Sequence, residues 1–333
     1  MAASRKRTIL ITGCSKGGAG HALALEFAAQ GMRVFATARS TNSLSPLEEK
    51  GIEALALDVT SPESIASLKT EIAKRTGGQL DMLYNNAGSM YEMPAIEADA
   101  DRTRAMFNTN VFGLFDMVSA FTPLLLASVS DSGHPPTIIN VSSIVSRVPY
   151  AFSAQYNASK AAVASYSDTL RIELAPLGIK VVTLYMGQVS TGLTGPDNIE
   201  FGSQSLYDVV EQGVKERSRH HLQHSMKSEE FARQVVNEVL PNSGLPNSFT
   251  WKGMIMGLLK REHGFGFKST NGGRATSFVH AETFTGLLSF VMHEDFIAKR
   301  IGQRANLLKR YSEFNADFEG WVESTWESDA AAA

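Results

Sequence analysis

A glycine-rich segment, Thr12 to Gly20, lies between a short apolar run and an alanine- and leucine-rich stretch near the start of the chain. The run before it, residues 7–12, predicts a strand, and the stretch after it, to about Gln30, predicts a helix. Strand, glycine turn and helix is the arrangement in which backbone N–H groups at a helix start hold a pyrophosphate. Glycines also make tight strand-to-helix turns without a ligand, so this segment alone leaves both interpretations open.

Five further apolar runs predict strands, and helical patterns separate them from one another. These strands are predicted at residues 33–38, 53–57, 80–84, 137–141 and 180–185. Alternating strands and helices are typical of a parallel sheet that is covered by helices on both faces. We therefore expect an α/β chain with a Rossmann-type, doubly wound parallel sheet, whose ligands bind beyond the carboxyl ends of the strands.

A tyrosine and a lysine lie four residues apart in a predicted helix that runs on to Pro176. At this spacing Tyr156 and Lys160 share one face of the helix, one turn apart. An ammonium group next to a phenol favours the phenolate and lowers a pKa of about 10, which makes the tyrosine usable as a general acid or base. Chance and surface pairs give the same spacing, so the pair alone is a weak indication of a catalytic site.

Further motifs follow the predicted strands in a fixed order. They are the glycine turn, Asn85-Asn86-Ala87-Gly88, Asn110 in an Asn-Val-Phe-Gly segment, and Ser143, thirteen residues before Tyr156. Over about residues 5–240 this set of motifs resembles the short-chain dehydrogenase/reductase family. The resemblance implies a nicotinamide-dependent oxidoreductase with a catalytic tetrad of Asn110, Ser143, Tyr156 and Lys160.

The resemblance also implies a role for each member of the tetrad. Tyr156 would donate a proton to a carbonyl oxygen that Ser143 holds by a hydrogen bond, in the manner of an oxyanion-hole donor. Lys160 would lower the pKa of the tyrosine and hold the nicotinamide ribose, and Asn110 would hold a water that connects Lys160 to solvent. The alternatives are that Ser143 is an ordinary turn residue and that Asn110 only bends its helix.

The region after the second predicted strand indicates which cofactor is preferred. NAD-selective proteins of this kind place an acidic residue there to hold the ribose hydroxyls. This chain has Arg39 instead, and both Arg39 and Lys16 can bind a 2′-phosphate, so we expect NADPH. The residues expected to bind the cofactor are Gly13, Ser15, Lys16, Gly18, Gly20, Arg39, Asp58, Val59, Asn86, Ala87, Gly88, Tyr156, Lys160, Val189 and Thr191.

Two positions depart from the usual pattern of the family. Gly17 and Gly18 are both present and the closing Gly20 comes one residue late, so the glycine turn is expected to carry an extra residue. After the sixth predicted strand Met186 stands where the family usually has proline, although Val189 and Thr191 remain available to contact a nicotinamide carboxamide. Neither change affects the expected acid–base residues.

Composition limits the remaining classes of function. The 333 residues carry a formal net charge of −3, which argues against a nucleic-acid-binding protein. The one cysteine, Cys14, is typical of a reducing compartment, so we expect a cytoplasmic protein. We expect no signal peptide and no membrane span, because no apolar run approaches about 18 residues. The eight histidines show no metal-ligand spacing, and the pair His220-His221 is expected at the surface.

We expect a catalytic domain over residues 1–250, with a variable substrate loop at residues 190–227. Residues 251–333 are expected to be an extension that packs on this domain or on a dimer interface, with a loop at 264–273 and helix from about 281 to 326. The candidates to line the substrate pocket are mostly apolar or aromatic, with core packing as their alternative role: Met90, Tyr91, Met93, Val145, Phe152, Gln188, Leu193 and Tyr207.

The doubled glycine turn and the tail after residue 240 resemble the fungal acyl-dihydroxyacetone-phosphate reductase branch of the family, many members of which act in secondary metabolism. The sequence therefore predicts an NADPH-dependent ketoreductase for a hydrophobic or aromatic small molecule, such as a lipid or a secondary metabolite. The alternatives are a non-redox cyclase or dehydratase on the same scaffold, and an NADPH-binding regulatory protein. The resemblance also implies a homodimer or homotetramer, paired through the helices that carry Asn110 and Tyr156; the alternative is that the long tail blocks this surface.

Overall fold

The structure, a computed structural model, describes residues 5–129, 134–240, 266–269 and 275–278. Six parallel strands form one sheet in the order β3-β2-β1-β4-β5-β6. The strands are β1 Thr8–Ile11, β2 Arg33–Ala38, β3 Glu53–Ala56, β4 Met82–Asn85, β5 Thr137–Ser143 and β6 Lys180–Met186. The chain begins at the centre, winds to one edge, returns to β4 and winds to the other edge. This doubly wound order confirms the predicted Rossmann-type α/β fold, and each strand lies within two residues of its predicted bounds.

Helices cover both faces of the sheet, and the sheet divides the apolar core into two layers. They are α1 Ala19–Ala29, α2 Ser45–Glu48, α3 Pro62–Thr76, α4 Ala100–Phe107, α5 Gly113–Leu126, α6 Ala154–Leu174, α7 Asp208–His224 and α8 Ser228–Val239. Helices α1 and α8 pack in one apolar cluster with one face of the sheet. Helices α3, α5 and α6 pack in a second cluster with the opposite face.

The residues of β1 show why the sheet needs both layers. Ile9 and Ile11 belong to the cluster with α1, whereas Leu10 between them belongs to the cluster with α3 and α5. Successive side chains of a strand point to opposite faces, so a strand that is apolar at every position is stable only when both faces are covered.

Local sequence signals fix the ends of the longer helices. Helix α3 begins at Ser61, whose side chain accepts a hydrogen bond from the N–H of Ser64, and it ends at Gly77 with φ of 67°. Helix α6 runs for 21 residues and gives way to a 3₁₀ turn that contains Pro176, where the sequence predicts its end. This helix carries Tyr156 and Lys160.

A π-helical turn, Asn108–Phe112, joins α4 to α5. The joined stretch Ala100–Leu126 has the length and apolarity of a membrane span, contrary to the expectation that no segment would. Half of its most apolar window is buried, and α5 packs on the sheet and on α3. The core of the fold therefore accounts for the buried half of its apolar residues, while Phe112 and Leu126 are exposed.

The segment after β6 forms a small layer over the carboxyl ends of the strands. Two short strands, β7 Val189–Ser190 and β8 Met226–Lys227, pair in parallel at its base. Between them, α7 packs with Ile199 and Phe201 in a third apolar cluster. The residues of this layer correspond to the predicted substrate loop at 190–227.

Two strands beyond residue 240 complete the described chain. They are β9 Gly266–Ser269 and β10 Ala275–Phe278, which pair antiparallel with each other. The expected loop at 264–273 is therefore partly strand, because the backbone of 266–269 is paired with that of 275–278. The helix expected from residue 281 to 326 lies outside the described residues, as does the boundary expected at residue 250.

Candidate active site

The carboxyl ends of the parallel strands open into a cavity of about 870 Å³. Residues that follow β1, β2, β4, β5 and β6 line it, which is where a doubly wound sheet binds its ligands. The cavity brings together nearly all the residues expected to bind the cofactor or act in catalysis: Gly13, Ser15, Lys16, Gly18, Arg39, Asp58, Val59, Asn86, Ala87, Gly88, Ser143, Tyr156, Lys160, Val189 and Thr191. Gly20 and Asn110 lie behind its wall.

The glycine turn presents the start of α1 to the cavity. The first turn of α1 holds no acidic residue, and Gly18 supplies no side-chain cap. The first N–H groups of a helix have no partner within the helix, so this end favours an anion. Gly13 adopts φ of 73°, and a Cβ there would lie 2.8 Å from Cα of Ala87. The backbone cradle therefore fits a dinucleotide pyrophosphate. A side chain at Gly13 would clash with Ala87 and close the cradle.

Gly17 lies in the doubled part of the glycine turn. This glycine has φ of 80°, and a Cβ added there would meet no atom within 4 Å. Beside it, the N–H of Lys16 donates to the carbonyl of Ser43 at 3.2 Å. The glycine turn is thus tied to the segment that follows β2, and Lys16 and Arg39 both line the cavity.

Gly20 has a packing role. A Cβ at this position would clash with the carbonyl oxygen of Gly13 and lie 2.6 Å from Nδ2 of Asn86. The absence of a side chain lets α1 pack closely on the end of β1. Gly20 therefore shapes the cradle without lining it.

The segments after β2 and β3 form one end of the cavity. Arg39 is exposed there, and its positive charge interacts with the carboxylate of Asp58. The N–H and hydroxyl of Thr60 donate to Asp58, and together with Arg39 they hold the pKa of this carboxyl below its usual value. The position after β2 that could hold an acidic residue is thus basic, as the sequence indicates.

The segment Asn86-Ala87-Gly88 connects the two ends of the cavity. Nδ2 of Asn86 donates to the carbonyls of Thr12 and Gly13, each at 2.9 Å, and the N–H of Ala87 donates to Oγ1 of Thr12, also at 2.9 Å. Asn86 therefore locks the glycine turn to the end of β4.

Ser143, Tyr156 and Lys160 meet at the other end of the cavity. Ser143 ends β5 and donates to the carbonyl of Met186 at 3.1 Å, and its hydroxyl lowers the pKa of Tyr156. Nζ of Lys160 donates to the carbonyl of Val141 at 2.9 Å and lies 5.7 Å from the centroid of the Tyr156 ring. The spacing that places both side chains on one face of α6 thus brings them to the end of β5.

Burial dominates the ionisation of this group. Burial raises the pKa of Tyr156 to about 12, an effect that the neighbouring Ser143 hydroxyl opposes and the charge of Glu92 increases. Burial lowers the pKa of Lys160 to about 8. The tyrosine is therefore a neutral phenol at neutral pH, in contrast to the lowered pKa expected from the sequence.

Asn110 lies in the π-helical turn, behind the cavity wall. Its Nδ2 donates to the carbonyl of Ser89 at 2.9 Å and to Oγ of Ser159 at 3.1 Å, while its Oδ1 accepts the N–H of Ser89 at 2.7 Å. A Cβ on Gly88 would lie 3.3 Å from this Oδ1 and 3.7 Å from Nζ of Lys160. The amide thus ties the segment after β4 to α6, next to the lysine.

Met186, which replaces the usual proline, contributes its carbonyl to Ser143 and lines the cavity. The segment beyond it is held by the pairing of β7 with β8 and by the N–H of Met226, which donates to the carbonyl of Gln188 at 3.3 Å. Val189 and Thr191 are thereby kept at the cavity, as the sequence predicts.

Half of the pocket candidates line the cavity, and the others have different roles. Met90, Val145, Gln188 and Leu193 line it. Met93, Phe152 and Tyr207 pack in the cluster beneath α7 instead. Tyr91 is buried, and its hydroxyl accepts the N–H of Asp99.

Glu92, Tyr150 and His221, which the sequence does not identify as site residues, also line the cavity. His221 is only 9% exposed, and its Nδ1 lies 3.1 Å from the hydroxyl of Tyr150. The expectation that the His220-His221 pair lies at the surface is therefore wrong for His221. Its spacing of four residues from Arg217 on α7 is the one signal in the sequence that the two share a face.

Comparison with known proteins agrees with this geometry. The family model for short chain dehydrogenases matches residues 7–200. A short-chain dehydrogenase of Hypocrea virens, virD, is 39% identical over 257 residues, which are 75% of this chain and 85% of the relative. The NADPH-dependent 1-acyldihydroxyacetone phosphate reductase of Schizosaccharomyces pombe is 41% identical over 213 residues, 64% of this chain and 67% of the relative.

Solved structures with a similar fold include short-chain dehydrogenases. The crystal structure of a short-chain dehydrogenase from Streptomyces avermitilis superposes with a TM-score of 0.60 and 28% identity, covering 73% of this chain and 87% of that one. The resemblance inferred from the motifs is confirmed, and the chain belongs to the short-chain dehydrogenase family of oxidoreductases.

Proposed function

We propose that the protein is an NADPH-dependent reductase that acts on the carbonyl group of a hydrophobic or aromatic ketone, with Tyr156 as the proton donor. The observation that carries this proposal is the convergence of Ser143, Tyr156 and Lys160 on one cavity with the glycine cradle. A reduced nicotinamide, when bound, supplies a hydride to a carbonyl carbon. The residues of this chain must then orient the carbonyl and provide the proton.

The proton step follows from the ionisation of Tyr156. Because burial raises the pKa of its phenol to about 12, Tyr156 holds its proton at neutral pH and can give it to a carbonyl oxygen that becomes basic. Ser143, which lines the cavity with Tyr156, would hold the same oxygen. Lys160, with Nζ over the tyrosine ring, would stabilise the phenolate left behind and bind the nicotinamide ribose.

Asn110 is proposed to act as a positioning residue. Its side chain fixes the segment after β4 against Ser159, the neighbour of Lys160. Asn110 would thereby fix the turn of α6 that carries Lys160, while the carbonyl of Val141 accepts a hydrogen bond from the lysine itself.

The cavity residues that follow β1 and β2 support NADPH over NADH as the cofactor. Arg39 and Lys16 line the cavity where the adenosine ribose would lie, and no acidic residue follows β2 to hold two ribose hydroxyls. The name of the Schizosaccharomyces relative also specifies NADPH. The buried Cys14, whose pKa burial raises to about 12, is compatible with the cytoplasm as the proposed compartment.

The substrate end supports a hydrophobic ketone. Met90, Val145, Val148, Pro149 and Leu193 give it an apolar wall around Tyr156. An apolar wall with few polar groups binds a lipid-like or aromatic molecule better than a small charged metabolite. A lipid or a secondary metabolite is the substrate class that we propose.

Replacement of Tyr156 by phenylalanine tests the proposal. We expect Tyr156→Phe to lower kcat for reduction of aromatic ketones by at least about 100-fold, because the proton donor is lost, while the Kd for NADPH changes little. Tyr166→Phe, on the same helix but outside the cavity, is the matched control and should keep full activity. Product formation by Tyr156→Phe at the wild-type rate would contradict the proposal and favour a non-redox enzyme.

A further inference from the structure

Glu92 is a buried carboxylate in the wall of the cavity that the proposed reaction does not use. It follows β4, is 6% exposed, and lines the cavity together with Tyr156. Its charge acts on Tyr156, since it is one of the causes that raise the pKa of that phenol. A carboxylate at this place is costly to bury, so its surroundings should show what holds it.

One oxygen of this carboxylate is held by protein donors. Nη2 of Arg217 donates to Oε1 of Glu92 at 3.0 Å, and Oγ of the fully buried Ser153 donates to the same oxygen at 3.4 Å. The guanidinium of Arg217 also lies 4.2 Å from the centroid of the Tyr150 ring and donates to the carbonyl of Ala151. Arg217 therefore balances the charge of Glu92 and fixes the orientation of its carboxylate.

The loop that carries Ser153 is itself rigidly placed. Phe152 adopts φ of 67°, a conformation that non-glycine residues seldom take. Its carbonyl accepts the N–H of Met93 at 2.7 Å, and its ring packs 5.2 Å from that of Phe201. Strained backbone of this kind persists only when the surrounding contacts over-determine it, as they do here. The donors to Oε1 are therefore preorganised.

The second oxygen of Glu92 faces a different environment. Both hydrogen bonds that the described residues donate to this carboxylate go to Oε1, and Oε2 accepts none from them. Oε2 is thus an acceptor of fixed orientation on a side chain that lines the substrate end of the cavity. Burial raises the pKa of Glu92, while the charge of Arg217 and the hydrogen bonds from Arg217 and Ser153 lower it. Paired with Arg217 as an ionised carboxylate, Glu92 can only accept hydrogen bonds, so a partner of Oε2 must be a donor.

We propose that Oε2 of Glu92 accepts a hydrogen bond from a hydroxyl group of the substrate, which makes the natural substrate an uncharged ketone with a free hydroxyl or phenol. This inference rests on the proposed ketone reductase. An anionic group would be repelled by Oε2. An ammonium group would add an uncompensated charge, because Arg217 already balances the carboxylate.

The same geometry argues against a phosphorylated ketone. Apart from Lys160, the lysine and arginine side chains that line the cavity within the described residues are Lys16 and Arg39, beyond β1 and β2. Arg217 at the substrate end is engaged with Glu92 and Ala151. The substrate of this chain therefore differs from the phosphate ester in the name of the Schizosaccharomyces relative.

A matched set of ligands tests the inference. It consists of 1-tetralones that carry, at each ring position in turn, a free hydroxyl, a methyl ether, an aminomethyl group or a carboxylate. The readouts are kcat/KM with NADPH and, separately, the Kd of each ketone for NADPH-bound Tyr156→Phe by calorimetry. We expect one hydroxyl isomer to exceed its methyl ether at least about tenfold in both readouts. The amine and the carboxylate should bind more weakly than the hydroxyl isomer.

The variant Glu92→Gln tests most directly whether Oε2 accepts a hydrogen bond from the substrate. Arg217 and Ser153 would keep the amide oxygen at the Oε1 position, so the amide NH₂ would replace Oε2 and turn an acceptor into a donor. The preference for the hydroxyl over the ether should then disappear or reverse. Glu97→Gln is the matched control, because Glu97 accepts from Ser205 and Leu206 of the same layer but does not line the cavity. If Glu92→Gln does not fold, the double variant Glu92→Gln, Arg217→Gln removes both charges at nearly constant volume.

The outcomes separate the two proposals. An unchanged hydroxyl preference in Glu92→Gln, or a preferred carboxylate, would overturn the role of Glu92 even if ketones are reduced. If no ketone is reduced but binding of the hydroxyl isomer still depends on Glu92, the subsite stands and the reductase proposal fails. Binding that is equal for all substituents would refute the subsite.

Discussion

At Tyr156, burial has more influence on the pKa than the neighbouring lysine. The spacing of Tyr156 and Lys160 predicts a lowered pKa, but Nζ of Lys160 lies over the ring and donates to the carbonyl of Val141. Burial instead raises the pKa of the phenol to about 12. A protonated tyrosine suits the donor of a reduction, so the residue pair keeps its proposed roles although its electrostatics differ from the simple expectation.

The pH dependence of reduction should report on Lys160. Burial lowers its pKa to about 8, so the ammonium form predominates below that pH and is lost above it. We expect kcat/KM to be level below about pH 8 and to fall as the pH rises further, because the phenolate loses its stabilising charge. A profile measured from about pH 6 to about pH 10 tests this. Lys180→Arg, on β6 and outside the cavity, should leave the falling limb in place. A flat profile would contradict this role.

Arg39 should account for much of the cofactor preference. Its guanidinium is exposed at the cavity end where a 2′-phosphate would lie. We expect Arg39→Ala to raise the Kd for NADPH about 10- to 100-fold and to leave the Kd for NADH unchanged, since only NADPH offers the phosphate. Fluorescence titration measures both constants, and Lys50→Ala, exposed and outside the cavity, is the control. Equal weakening of both cofactors would show a structural role instead.

At the scale of helices and strands, the packing of α1 on the end of β1 shapes the glycine cradle. The sequence places Gly20 among the ligand contacts, because glycines in such turns serve both phosphate binding and packing. Only the structure distinguishes the two, since the atoms that a Cβ would strike belong to Gly13 and Asn86. Packing between residues distant in sequence decides the role.

Gly20→Ala should therefore destabilise the fold. A methyl group at this position would push α1 away from the carbonyl of Gly13, and we expect a loss of about 1–3 kcal/mol in the free energy of unfolding. Chemical denaturation followed by circular dichroism gives the value. Gly192→Ala, where a Cβ meets nothing within 4 Å, should change stability by less than about 0.5 kcal/mol. Equal stabilities for the two variants would refute the packing role.

The sequence predicts the elements well and the contacts between distant segments poorly. Strand and helix periodicity identifies all six strands of the sheet, and the motifs at the strand ends converge because parallel strands end at one edge. Glu92 and Arg217 could not be found this way, because their pairing depends on how α7 packs over the segment after β4. Phe152 and Tyr207 look like pocket residues by their chemistry, yet they pack beneath α7.

At the scale of the whole molecule, the helical segments that carry Asn110 and Tyr156 also present an apolar outer surface. Phe112 is 54% exposed, and its ring contacts Phe115, which in turn stacks on Tyr166 of α6 at 3.9 Å. Phe115 and Tyr166 are partly buried against the core, so Phe112 is the exposed member of this aromatic group. An exposed aromatic side chain that continues into further rings is typical of a surface that pairs with another subunit. We propose that the protein is a dimer or tetramer through this face.

Phe112→Glu should break that assembly. A carboxylate would have to be buried without a partner in the interface, so we expect the variant to sediment as a monomer at concentrations where the wild type does not. Sedimentation velocity measures both masses, and Ile96→Glu, at an exposed apolar residue outside these helices, is the control. A wild-type protein that is itself a monomer would contradict the proposed pairing.

Isotope transfer tests whether this chain catalyses hydride transfer to a ketone. The protein is incubated with a hydroxylated aryl ketone and NADPH that carries deuterium at the transferable position of the nicotinamide ring. We expect an alcohol with a single deuterium on the carbinol carbon and a matching loss of NADPH. A product without deuterium, or NADPH that binds but is never consumed with any ketone, would contradict it.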